Sequence, residues 1–304
     1  MYHKSTGNEL GKADTFGGGA NPASTRGFMN SAFEFPEKGG NMKRWLFFAY
    51  GAGSYLLFLA IYPYMAGFVG NFLVPKSIDS PAAGPIGAAV AINLLLLGLF
   101  AAQHSVMARP AFKRVWTRVV PEPIERSTYV LLSCVVTIVL MWQWRGIDTV
   151  VWDVQQPAAR MAIWILFAIG WLLVPAVSFY IDHFDLFGMR QVWLHLRGRP
   201  YQSLPFAVPG LYRHVRHPLY IGWTIAFWAT PTMSMGHLLL AGAMTAYMAL
   251  AAIVEERDLV AHFGHVYENY RRHVPMFIPR VRALDGHDAK PSTASIEEVE
   301  GSSA

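Results

Sequence analysis

A single cysteine in 304 residues rules out an intramolecular disulfide, and with it any zinc site built on paired thiolates. Cys134 lies inside an apolar block, where packing is its expected role. Charge is also scarce. Only 15% of the chain is charged, against about 25% in an ordinary soluble domain, while 53% is hydrophobic. The chain lacks the glycine-rich turn of a dinucleotide-type fold, so the soluble Rossmann architecture has no support. No basic segment followed by an early apolar stretch opens the sequence, so a cleaved signal peptide is not expected. The net charge of +5 is modest and sits in connections between apolar blocks, which suits control of membrane topology better than a nucleic-acid surface.

What is present are apolar blocks of membrane-spanning length. A helix needs about 20 apolar residues to cross the hydrocarbon core, and four blocks meet this before residue 185: 45–69, 86–104, 127–144 and 161–181. Ten Trp and thirteen Tyr gather near block ends, where amphipathic rings suit the headgroup region. A fifth apolar region, Tyr220 to Val254, is too long for one crossing and is interrupted by Thr230-Pro231-Thr232 and Gly236, which predicts a helical hairpin bent near Pro231. Its first arm, His217 to Thr230, rises only roughly 21 Å, so five or six membrane segments are both compatible with the pattern. The expected fold class is therefore an all-α polytopic transmembrane bundle. Residues 1–40 and 282–304 are expected to be flexible tails flanking a membrane domain at 41–281.

Orientation follows from the basic residues of short loops. Lys43 and Arg44 precede the first block, and Arg109, Lys113, Arg114, Arg118 and Arg126 separate the second from the third. With the arginines between Arg190 and Arg216, these mark one face as cytoplasmic, with both termini there. A hairpin after Arg216 returns the chain to that face near Glu255, so two polar segments some forty residues apart become neighbours. The first contains Arg216-His217-Pro218-Leu219-Tyr220-Ile221-Gly222, with a proline suited to a helix start and a glycine that permits close approach of a ligand or of another helix. The second is Glu255-Glu256-Arg257-Asp258, whose carboxylates could bind hydroxyls or an ammonium group. Taken singly, such residues also serve as interfacial anchors. Beyond them Leu259, Phe263, Tyr267, Tyr270 and Val274 form a helical stripe that would lie on the membrane or across the site.

The pattern Arg216-His217-Pro218-x-Tyr220-x-Gly222, followed by Glu255-Glu256-x-x-Leu259 and Phe263-Gly264-x-x-Tyr267-x-x-Tyr270, resembles the membrane methyltransferases that include isoprenylcysteine carboxyl methyltransferase and the phospholipid methyltransferases. A longer stretch, from Gln103-His104-Ser105 through Asp182-His183-Phe184-Asp185-Leu186-Phe187-Gly188, is similar to the bacterial methanethiol S-methyltransferases of the NnrU-related branch. The resemblance implies an enzyme of the bacterial inner membrane that moves a methyl group from S-adenosylmethionine to methanethiol, giving dimethyl sulfide and S-adenosylhomocysteine. It implies cofactor binding by Arg216, His217, Pro218, Tyr220, Gly222, Glu255, Glu256, Tyr267 and Tyr270.

A thiol attacks well only as the thiolate, so such chemistry calls for a base. The candidates at the basic face are His104, Asp182, His183, Asp185 and His217, with Tyr220 as a proton relay and Ser105 and Tyr129 as weaker choices. Interfacial hydrogen bonding is the plain alternative for each. The expected partners are a small volatile thiol and the lipid bilayer, with no metal, no nucleic acid and no obligate protein partner. Two other functions fit the composition: methylation of a lipid or prenylated acceptor, and haem binding through His104, His183, His217 or His237.

Overall fold

The structure is a computed structural model that describes residues 38–81 and 84–280, so the expected tails lie almost wholly outside the described residues. Among the described residues, the chain from Met42 to Arg280 belongs to one compact unit built mainly of long helices. Five of these are long and apolar enough to cross a membrane: α1 (Lys38–Gly70), α2 (Ile86–Ala108), α4 (Glu122–Gln143), α5 (Pro157–Ile181) and α9 (Met235–Phe263). The short helix α3 (Pro110–Trp116) links α2 to α4, and α6 (His183–Leu186) and α7 (Met189–Leu196) follow α5. Leu56, Leu95, Leu172 and Leu250 are all more than half exposed on these helices, the pattern of side chains that meet lipid rather than water. The chain is an integral membrane protein with a helical bundle fold.

The fifth apolar region is a hairpin, as its proline and length predict. Helix α8 (Pro218–Trp228) has only 11 residues and rises about 16 Å, roughly half of a bilayer core, so it is a half-span packed beside full ones. Pro218 occupies its first turn, where the missing N–H costs nothing. Its turn into α9 contains an element not expected from the sequence. Strand β2 (Thr232–Ser234) pairs antiparallel with β1 (Val150–Asp153), Val150 opposite Ser234 and Asp153 opposite Thr232, with a bulge between Val150 and Trp152. Ser234 then caps α9 by accepting from the His237 N–H at 3.0 Å. This pair ties the hairpin turn to the α4–α5 connection on the face opposite the basic one.

Helix α8 is held by glycines. A Cβ on Gly170 of α5 would lie 2.5 Å from the Ala226 nitrogen, and one on Gly222 would lie 3.0 Å from Val174 Cγ2. The two backbones approach closely at this crossing, as small residues allow inside membranes. Gly222 therefore serves helix packing against α5, which corrects its assignment to the cofactor: no ligand can share that space. At the other end, the chain beyond α10 (His265–His273) runs back along the segment before α8. The Arg216 N–H donates to Pro275 O at 3.0 Å, His217 N–H to Met276 O at 3.2 Å and Arg280 N–H to His214 O at 3.1 Å.

Candidate functional site

The turn of α9 that follows its apolar stretch carries Glu255, Glu256 and Asp258, and the α8 start carries Arg216, His217 and Tyr220. Between His237, bonded to Phe227 O, and Glu256, α9 rises roughly 28 Å, whereas α8 from Phe227 back to His217 rises about 15 Å. Side-chain direction takes up part of this difference. Helical side chains lean toward their own N-terminus, so Glu255 and Glu256 lean down into the membrane while Tyr220 leans up to meet them.

The hub is the Glu256 carboxylate. Arg216 grips it with two N–H groups, Nε to Oε1 at 2.7 Å and Nη2 to Oε2 at 3.2 Å, and His217 Nε2 lies 3.1 Å from Oε1. The Arg216 Nη1 also donates to Arg271 O at 2.6 Å and Val274 O at 2.8 Å, closing the last turn of α10. The Arg216 and Glu256 side chains are 9% and 5% exposed, so this charge pair is compensated internally. Glu255 differs. Its side chain is 45% exposed, Oε2 accepts from the Tyr220 hydroxyl at 2.9 Å, and Oε1 takes no hydrogen bond among the described residues. The acidic pair thus divides its labour, with Glu256 holding the corner together and Glu255 turned outward. Tyr220 lies parallel to His217, ring centroids 5.2 Å apart.

Next to Glu255 lies a second polar group between α2 and α4. The Tyr129 hydroxyl is 2.9 Å from His104 Nε2 and 3.1 Å from Nδ1, and Ser133 Oγ is 3.4 Å from Nδ1. Ser133 gives its own hydrogen to Tyr129 O, so His104 Nδ1–H can donate to Ser133 while Nε2 accepts from Tyr129. The Arg126 guanidinium stands 4.9 Å from the Tyr129 ring centre. Arg126 and Tyr247 were not singled out as site residues from sequence. Arg126 counted there only toward topology, although its spacing to Tyr129 and Ser133 puts all three on one helix face. Tyr247 shares its face of α9 with Ala251 and Glu255.

The other sequence candidates fall elsewhere. His183 is buried and held on both ring nitrogens: Tyr55 OH donates to Nε2 at 2.7 Å, and Nδ1–H donates to Ser178 Oγ at 2.7 Å, whose hydrogen goes to Pro175 O. Phe179 stacks on its ring at 4.2 Å. Burial holds the His183 pKa below its ordinary value, which matches a neutral ring clamped between two hydroxyls. Asp182, at φ 124°, caps α6 by accepting from the Asp185 N–H at 3.1 Å. Asp185 pairs with Arg190 at 3.0 Å and accepts from Gln191 and Tyr201. Among the described residues none of the three bonds to the Glu256 hub, and their partners account for them as the clasp of the α5–α7 corner.

Pro218 is fully buried at the α8 start. Tyr267 and Tyr270 are buried as well, in T-shaped contact with Phe206 at 5.8 and 5.5 Å, and Tyr270 OH donates to Tyr212 O at 2.7 Å. Burial raises the pKa of both phenols, which keeps the Tyr270 donor protonated. These aromatics therefore brace the segment that carries Arg216 and do not present a face to a ligand. The four histidines considered as haem ligands each have a protein partner, His237 Nε2 donating to Phe227 O at 2.8 Å, and no metal-binding cluster of His, Cys, Asp or Glu occurs among the described residues.

Fold and site together define a polytopic helical membrane protein with a polar, partly exposed centre at the end of its bundle that bears the basic loops. The chain belongs to the NnrU protein family, whose pattern matches residues 93–278. It is 55% identical over 238 residues to the methanethiol S-methyltransferase of Mycobacterium tuberculosis, covering 78% of this chain and 98% of that one. It is 50% identical over 246 residues to methanethiol S-methyltransferase 2 of Bradyrhizobium diazoefficiens, covering 80% and 93%. The enzyme of the same name from Crocosphaera subtropica is 47% identical over 230 residues, covering 76% and 90%. No solved structure matches the chain.

Proposed function

We propose that this protein transfers a methyl group from S-adenosylmethionine to the sulfur of methanethiol, releasing dimethyl sulfide and S-adenosylhomocysteine. The observation that carries the reading is the 55% identity over nearly the whole length of a relative bearing that name. The residues fit such a donor. Glu255, with one oxygen unbonded among the described residues, suits ribose hydroxyls, and the Arg126 guanidinium suits the amino-acid carboxylate. When bound, the donor supplies an electrophilic methyl on a sulfonium. The chain supplies placement, exclusion of water and a route for one proton.

The Tyr129–His104 pair is our candidate for that route. The thiol proton passes to the Tyr129 oxygen as the Tyr129 proton crosses the hydrogen bond to His104 Nε2, whose heavy atoms are 2.9 Å apart, leaving a thiolate and an imidazolium. With the donor bound, its methyl would pass to the thiolate sulfur, and the electron pair of the broken bond would stay on the donor's own sulfur. We further propose that the basic face is cytoplasmic and the membrane a bacterial inner one. Support comes from Lys43, Arg44, Arg109, Lys113, Arg114, Arg118 and Arg126 lying in short segments at that face.

The test is direct. Purified protein given methyl-labelled S-adenosylmethionine and methanethiol should release labelled dimethyl sulfide into the headspace. A folded preparation that releases none refutes the reading, and label appearing in the lipid fraction instead assigns a lipid acceptor.

A further inference from the structure

A cleft of about 300 Å³ opens between α2 and α9. Its walls follow from helical spacing. On α2, Ala101, Ser105 and Arg109 recur every four residues, and on α9 Tyr247 and Ala251 do the same, so one stripe faces the other. Two bridges join the stripes. Toward the basic face, Arg109 Nη1 meets Asp258 at 2.8 Å while its Nε donates to Ser105 O at 3.2 Å. Deeper in the membrane, the Ser105 and Tyr247 hydroxyls are 3.0 Å apart. Between the bridges the α9 position in register with Tyr247 offers the methyl of Ala251, which leaves the gap. Leu250 and Val254, at its mouth, are exposed on membrane-spanning helices, so the mouth is apolar and looks into lipid.

Tyr247 forms the inner wall. Its ring meets Phe100 edge-on at 6.3 Å, and Phe100 stacks on His104 at 5.2 Å. One side of this tyrosine is thus the cleft and the other is the His104–Tyr129 pair. Resting on the function proposed above, we infer that the acceptor thiol enters sideways from the bilayer through the α2–α9 cleft. The Ser105–Tyr247 hydroxyl bridge acts as its inner door, and Ala251 sets its bore. A small uncharged thiol partitions into lipid and needs no aqueous path, while the Arg109–Asp258 bridge closes the end nearest water.

Two measurements test this in lipid nanodiscs. Ala251→Phe fills the bore and should raise the KM for methanethiol about tenfold while leaving S-adenosylmethionine affinity unchanged. Wild-type KM in that variant overturns the proposal. Independently of activity, Ala251→Cys in a Cys134→Ser background should react with neutral methyl methanethiosulfonate at least about tenfold faster than with the charged sulfonatoethyl reagent, relative to a water-exposed cysteine control. Equal relative rates mean that the cleft is open to water, and the inference falls. If the labelling preference holds but wild-type protein makes no dimethyl sulfide, the cleft stands as a lipid-side entrance and only the choice of methanethiol is refuted.

Discussion

Replacing Glu256 by Gln separates the two carboxylates that the sequence presents as a pair. Glu256 is one half of a charge pair whose side chains are 9% and 5% exposed, and it also meets His217. Removing one partner from a buried pair costs about 3–5 kcal/mol, because the remaining charge stays desolvated. Arg216 keeps its bonds to Arg271 O and Val274 O, and Gln retains one acceptor, which places the loss at the lower end, about 3 kcal/mol. For a domain of this size that is a fall in Tm of roughly 6–12 °C. Glu255→Gln keeps an oxygen for Tyr220 on a side chain that is 45% exposed, so its stability cost should stay below about 1 kcal/mol. It should nevertheless weaken S-adenosylmethionine binding about tenfold or more, since a charge-assisted bond to a hydroxyl is lost. Thermal unfolding in detergent gives the first quantity and calorimetric titration the second. Unchanged affinity in Glu255→Gln, together with weakened binding at unaltered Tm in Glu256→Gln, would refute the division of roles.

His104→Ala and Tyr129→Phe should each lower kcat by about 10²-fold or more with little change in S-adenosylmethionine affinity, and wild-type turnover in either removes the pair from the proton route. Gly170→Ala should cost about 2 kcal/mol, because its methyl would meet the Ala226 backbone at 2.5 Å, whereas Gly98→Ala, which meets nothing within 4 Å, should not destabilise; equal Tm in the two variants would show that the α5–α8 crossing can widen freely. The His183 pKa is lowered in the fold, so its contribution to stability is complete above the free-histidine value near 6.5 and is lost as pH falls through the lower folded value. Unfolding midpoints at pH 7.5 and about pH 5 should therefore converge in His183→Gln relative to wild type, and a wild-type protein that gained stability from this group on acidification would contradict the neutral clasp.

The spans were legible because lipid imposes one length and one composition on them, and the hairpin because Pro231 interrupts an apolar run too long for one crossing. The meeting of Arg216 with Glu256 followed from that topology alone. The strand pair was not legible: Val150–Asp153 is four residues whose partner lies some eighty residues away, and no local periodicity reports a pairing of that range. Gly222 could be read either way, since a glycine facing a ligand and one facing a helix leave the same mark, and only the distance to Val174 decides. Tyr267 and Tyr270 looked available because the segment that covers them, around Phe206 and Val208, has no periodic pattern to announce that it packs. His104 and His183 were equivalent in sequence, each at the end of a span. What separates them is the hydroxyl bonded to each ring nitrogen of His183, against a single shared hydroxyl and a long 3.4 Å contact at His104.

One turn of α9 carries Glu255, Glu256 and Asp258, and successive residues on a helix point about 100° apart, so the three carboxylates fan out to different partners. Glu256 turns to Arg216 and His217, Glu255 to Tyr220, and Asp258 to Arg109 on α2. The last of these is the most expendable for the fold, because its side chains are 27% and 41% exposed and such pairs contribute at most about 1 kcal/mol. Its value lies in position, since it bridges α2 and α9 at the water-side end of the cleft. Asp258→Asn should therefore leave Tm within about 3 °C of wild type. In the Ala251→Cys background it should also admit the charged sulfonatoethyl reagent, narrowing the gap in labelling rate between neutral and charged probes. A large fall in Tm would make the bridge a structural element, and an unchanged rate ratio would show that something other than Arg109 and Asp258 keeps water from the cleft.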